Sequence, residues 1–187
     1  DPSILRDRDG RLAAEDWLLR RLGAALPRRQ RGSGKSGLLR AYTPGPEVVE
    51  RSAVRLDPGG EGELRLGGGL PARGRRVLGL QAWEMLAEDL PRAVQALEPT
   101  PELDAHVASV RTQRALRRAL ESRDLVAFVA DGSVLPRASG ISQAPLGGAV
   151  PFTSPPSLRV ELDGPDGPIP GMGVPRGVTL IVGGGFN

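Results

Sequence analysis

Val-Thr-Leu-Ile-Val at residues 178–182 runs straight into Gly-Gly-Gly-Phe-Asn at residues 183–187. The first five residues read as a buried strand and the next five as the glycine loop into which it empties. A phosphate-binding loop has the form G-x-x-x-x-G-K-[S/T] after a strand, because backbone amides and a helix N-terminus must wrap the phosphates with no bulky side chain between. Gly183, Gly184, Gly185, Phe186 and Asn187 would fill its first five positions. On these residues alone a frayed glycine-rich tail is the other reading.

Working back from that stretch, Leu158, Val160 and Leu162 alternate as a half-buried strand, and Leu125 to Ala130 is a continuous apolar run ending at Asp131-Gly132. The segment 131–156 reads as loop. Residues 102–122 have helical composition, with Leu103, His106, Val107 and Val110 on one face. A straight continuation would put Arg111, Arg114, Arg117 and Arg118 on that face, so the helix either bends near 111 or leaves the core halfway. A helix is expected near 75–89, its buried stripe Leu78, Ala82, Met85 and Leu86. Strands are expected at about 38–42, 47–56 and 61–66, the last with Leu64 and Leu66 inward and Glu63 and Arg65 outward. Residues 12–26 form an amphipathic helix on Leu18, Leu19, Leu22, Ala25 and Leu26, stopped by Pro27. Helices and strands in mixed order give an α+β, or mixed α/β, fold.

Composition bounds the chemistry. The chain has 187 residues, no cysteine and a single histidine, His106. These counts exclude a disulfide framework, a cysteine nucleophile and a multi-histidine metal centre. Aromatic residues are only 3% of the chain, so its core is built from Leu, Val and Ala. No apolar run reaches membrane-spanning length, and the reading is a soluble, cytoplasmic protein. Net charge is +3, and of 25 basic residues only Lys35 is a lysine.

That lysine lies in Arg-Gly-Ser-Gly-Lys-Ser-Gly, residues 31–37. The spacing is too short for a phosphate loop of the usual form. Arg31, Gly32, Ser33, Gly34, Lys35 and Ser36 could still make an anion-binding nest, against the plainer reading of a solvated basic linker. Asp131 at a strand end resembles a magnesium-holding carboxylate, but no second acid follows it, and a turn-capping aspartate is the simpler reading. Arg28, Arg29, Arg31 and Lys35, with Arg73, Arg75 and Arg76, could grip nucleic-acid phosphates. His106, on an apolar face without local partners, reads as a core histidine. No catalytic residue and no metal ligand emerges.

Six stretches carry a resemblance: residues 31–37, Gly-Pro-Glu-Val-Val-Glu-Arg (45–51), Gly-Leu-Pro-Ala-Arg-Gly-Arg-Arg (69–76), Leu125 to Gly140, Val150 to Leu158, and Gly171 to Asn187. In this order they resemble the ATPases of the ABC class, over nearly the whole chain from about residue 10. The resemblance implies an accessory α+β domain at 1–146 leading into the first strands of a nucleotide-binding core at 147–187. It implies that Gly183 to Asn187 open the nucleotide-binding loop and that Phe152 is a candidate for stacking on adenine. It implies ATP with Mg²⁺ as cofactor of the complete protein and none for this chain. The implied partners are nucleotide, the remainder of the ATPase core, RNA in part of the family, and a second copy of the full protein, with no membrane. The chain reads as a piece of a longer protein, inactive by itself because the loop lysine and the Walker B acids are not in it.

Overall fold

The computed structural model describes residues 2–182, which divide into two compact units on either side of the boundary between Val110 and Arg111.

The first unit is built around helix α1, Arg8–Ala25. Its start is set by Asp7, whose carboxylate accepts the Gly10 amide at 2.8 Å, an N-cap that satisfies one orphan donor of the first turn. Pro27 stops it after Leu26 has closed the last turn onto Leu22. The helix is buried on more than one side, because two apolar clusters pack on it. Ile4, Ala13, Ala14 and Trp17 meet Leu103, Val107 and Val110 of helix α4, Pro101–Ser122. Further along, Leu22 and Leu26 meet Leu39, Met85, Ala93 and Leu97. Each buried Leu or Val side chain contributes about 1.5–3 kcal/mol relative to exposure.

Short antiparallel pairs frame this core. Strand β1, Leu39–Arg40, pairs with β4, Gly67–Gly68; β2, Val54–Leu56, pairs with β3, Gly62–Leu64; and β5, Ala72–Arg73, pairs with β6, Arg76–Val77. The alternation at 61–66 is as expected. Leu64 and Leu66 pack on the second cluster, while Glu63 and Arg65 face solvent and pair at 2.8 Å. The strand expected over 47–56 shrinks to its last three residues.

The helix expected near 75–89 begins later. Residues 76–77 belong to β6, and α2, Gly79–Trp83, passes through a π-helical turn, Glu84–Asp89, into α3, Leu90–Gln95. The wider turn advances the helix face by more than 3.6 residues per turn. Met85 is buried as expected, but Leu86 is 51% exposed, and the inward positions afterwards are Ala93 and Leu97. Among the described residues α4 is one continuous helix, and its buried positions end at Val110. The rotation of its apolar side therefore marks its exit from the first core.

The second unit holds an antiparallel sheet in the order β10–β11–β7: Arg159–Gly164, Gly167–Pro175 and Leu125–Ala130. Between β7 and β10 lies the hairpin β8, Arg137–Ser139, with β9, Ser142–Pro145, inside a stretch read as loop. Glycine is obligatory in the middle of this sheet. A Cβ on Gly171 would collide with the Phe128 ring and stand 2.5 Å from the Val129 carbonyl oxygen.

Val178–Val182 correct the sequence expectation of a buried strand. They adopt no strand, and Val178, Leu180, Ile181 and Val182 are 84–97% exposed. A strand is stable only with hydrogen-bonded neighbours, and no described residue pairs with this one.

Candidate functional site

Gly183, Gly184, Gly185, Phe186 and Asn187 lie outside the described residues, so the geometry available for the phosphate loop is that of its approach, residues 176–182.

The second candidate, residues 31–37, is a compact turn docked on the segment 69–72. The Ser33 amide donates to the Ala72 carbonyl at 2.9 Å, the Ser36 amide to Ser33 at 3.2 Å, and the Gly37 amide to Gly69 at 2.7 Å. The Ser36 hydroxyl donates back to the Ser33 carbonyl at 2.6 Å. Gly37, at φ +70°, runs against the Arg31 main chain, where a Cβ would collide. Half of what could make an anion nest is thus spent inside the turn. Lys35, Ser33 and Gly34 remain exposed at its tip.

Arg31 differs from the rest of this loop. Its side chain is 3% exposed and paired with Asp89 of the π-helical turn. The guanidinium Nε and Nη1 have no hydrogen-bond partner. Arg31 therefore joins the loop to the helix that carries Met85 and Ala93, and it does not project toward solvent with Arg28 and Arg29, which are exposed. The hairpin arginines Arg73, Arg75 and Arg76 are exposed as well.

Asp131 occupies the turn after β7. Its Oδ1 accepts both the Ser154 amide and the Ser154 hydroxyl at 2.6 Å, and Arg159 lies 3.4 Å from Oδ2. The Ser154 hydroxyl bond, ahead of the other contributions, holds this carboxyl below the usual aspartate range. The bonds tie residue 131 to residue 154 and engage the carboxylate as a turn staple. Phe152 stands beside the same turn: its amide donates to Ser133 at 2.8 Å, its carbonyl accepts from Gly132 at 2.8 Å, and its side chain is half-buried.

His106 is not without partners, as its local sequence suggested. Its Nε2 lies 3.1 Å from Oδ2 of Asp16, 90 residues away in sequence. Asp16 also accepts from Arg20 Nε at 2.6 Å and from Arg51 Nη1 at 3.2 Å, with its own side chain 1% exposed. Burial alone would raise the Asp16 pKa. Hydrogen bonds from His106 and Arg20, together with their charge, outweigh it, and the carboxyl sits below its ordinary value. One buried acid thereby holds α1, the 45–51 segment and α4 together. The sequence signal for it was an aspartate on the inward side of an amphipathic helix, a position that demands compensation.

Among the described residues there is no group of three acidic or histidine side chains able to hold a metal ion, and no helix long and apolar enough to cross a membrane.

Against known families, residues 1–98 match the family described as ATPase of the ABC class N-terminal, and residues 99–187 match the P-loop domain of the ABC ATPases. No curated protein matches the chain.

Proposed function

Because the chain belongs to the P-loop ATPases of the ABC class, we propose that it supplies the N-terminal domain and the first half of the phosphate-binding loop of an ATP-binding, ATP-hydrolysing protein. The class implies a nucleotide, which P-loop ATPases usually take together with Mg²⁺.

The observation that carries this reading is the run Val178 to Asn187, an apolar strand sequence followed by three consecutive glycines, inside the matched P-loop domain. Three glycines suit a phosphate because no Cβ stands between their amides and the ligand. In this reading Gly183, Gly184, Gly185, Phe186 and Asn187 give backbone donors to the phosphates. The exposure of Val178, Leu180, Ile181 and Val182 supports it from the other side, since these side chains are ready to be covered once neighbouring strands pair with them. Phe152, half-buried, is the proposed adenine contact.

Phosphoryl transfer rests on positioning and on neutralising charge. The chain offers amide donors for positioning. The lysine of the loop motif does not occur among Gly183–Asn187, and Asp131 is engaged by Ser154, so no catalytic step is assigned to residues of this chain. Binding of a fluorescent ATP analogue by a chain carried through the rest of the loop tests the reading. Gly184→Val should abolish binding with the fold retained, and unchanged affinity would sink the proposal.

A further inference from the structure

The first unit contains a cavity of about 250 Å³ whose charged lining is Arg8, Arg11, Arg51, Arg55, Glu15 and Glu50. Leu12 and Leu56 supply its apolar surface. It lies between the first turns of α1 and the segment 50–56, and none of these residues belongs to the glycine loop or to the turn at 31–37.

Hydrogen bonding sorts the lining into groups already engaged and groups still open. Arg51 is fixed, bonded to Asp16, to the Glu47 carboxylate at 2.8 Å and to the Val49 carbonyl at 3.2 Å. Glu15 accepts the Leu56 amide at 2.9 Å, which holds the two walls together. Glu50 accepts from Arg8 at 3.1 Å, an ion pair whose side chains are 75% and 62% exposed and which is therefore easily exchanged. Arg11 uses only Nη1, on the Leu5 carbonyl at 2.8 Å and the Arg6 carbonyl at 3.3 Å, leaving Nη2 and Nε open. The Arg55 side chain is exposed and has no hydrogen-bond partner among the described residues.

The geometry points to a binding site for a small phosphate monoester in this cavity. Four guanidinium groups and two carboxylates line it, and with Arg51 held by Asp16 and Glu47 the remaining three arginines still outnumber the two carboxylates, a balance that favours an anion. Three of those guanidinium groups, Arg8, Arg11 and Arg55, have donors to give, and planar guanidinium forks suit phosphate oxygens. Glu15 is engaged through Oε1 by the Leu56 amide and Glu50 through Oε2 by Arg8, whose other guanidinium nitrogens stay open to an anion. The volume is below that of sites for drug-sized ligands, about 300–1,000 Å³, so it suits a phosphate with a body of a few carbons, for which Leu12 and Leu56 are the contact surface.

The test is a ¹H–¹⁵N NMR titration of the 187-residue chain with glycerol 3-phosphate and, separately, with inorganic phosphate. Saturable shifts are expected at the amides of residues 8–12 and 50–56, with the ester binding more tightly. Arg55→Ala and Arg8→Ala, both at exposed side chains, should each weaken binding about tenfold or more, the loss of a charge-assisted contact. Arg40→Ala, an exposed arginine outside the cavity, should leave affinity unchanged. Shifts that never saturate at 8–12 and 50–56, or affinity unaltered by Arg55→Ala, would overturn the site. Equal affinity for inorganic phosphate would overturn its assignment to an ester. Saturable shifts confined to residues 31–37 would place anion binding on the Lys35 loop instead and equally overturn it.

Discussion

Replacing Asp16 with alanine should cost the first unit about 3 kcal/mol. Removing one partner of a buried ion pair costs about 3–5 kcal/mol, most of it the penalty of the charge left behind. Here the lower end applies, because the cations are not stranded. Arg51 keeps Glu47 and the Val49 carbonyl, and Arg20 keeps the Gly45 carbonyl at 2.7 Å. What is lost is the bonding of Arg20 and Arg51 to a carboxylate that is 1% exposed, and the link to His106 on α4. Asp16→Asn keeps the volume but offers one oxygen to donors that now use two, so it should cost less than alanine and still be destabilising. The assay is urea unfolding at pH 7, followed by tryptophan fluorescence, with Trp17 next to Asp16 on the same helix. The pH dependence follows from the depressed carboxyl. Its stabilisation is fully present above the unfolded value near 3.8 and is lost as pH falls through the lower folded value. The gap between wild type and Asp16→Asn should therefore be constant from neutral pH to about pH 5 and close below 3.8. A loss under about 1 kcal/mol for Asp16→Ala at pH 7, or a gap that persists undiminished at the acid end, would refute the assignment of Asp16 as the charged centre of this unit.

Other consequences are as direct. Asp89→Ala should destabilise by about 3–5 kcal/mol, more than Asp16→Ala, because Arg31 already has two unpartnered nitrogens and would lose its carboxylate; urea unfolding measures it, and the paired change Arg31→Leu with Asp89→Leu should recover most of the loss. Gly171→Val should cost at least about 1–3 kcal/mol in the same assay, since the new side chain meets Phe128 and the Val129 carbonyl within the sheet. Lys35→Ala should leave the melting temperature unchanged, as the exposed tip of the 31–37 turn buries nothing, and a clear drop would assign that lysine a structural contact. Asp131→Ala should free the segment around Ser154, seen as faster amide hydrogen exchange at residues 152–154, while the exchange of β11 stays slow.

What the sequence made legible is what local pattern dictates. The period of α1, the alternation around Leu64, the apolar run of β7 and the mixed fold class depend on residues within a few positions of one another. The misses share a different cause. A π-helical turn leaves no mark in apolar spacing, so Leu86 was assigned inward. His106 looked unpartnered because Asp16 lies 90 positions away and only the packing of α4 on α1 joins them. Arg31 read as one cation in a basic loop because nothing nearby in sequence announces Asp89, 58 positions on. Val178 to Val182 carry the composition of a buried strand, yet burial needs neighbours, and composition cannot supply them. For the candidate site, the proposed glycine loop rests on residue types alone, whereas the arginine-lined cavity beside α1 required the fold to bring residues 8–11 and 50–55 together.

The proposal that Gly183–Asn187 form half of a phosphate loop is tested most directly by phosphate release from ATP with Mg²⁺. Two purified chains are compared: the 187-residue chain, and one carried on through the loop lysine and the Walker B acids. We expect background release from the first and turnover from the second that Gly184→Val abolishes. Turnover by the 187-residue chain that disappears on Asp131→Asn would contradict this division of labour and move the active site to the turn after β7.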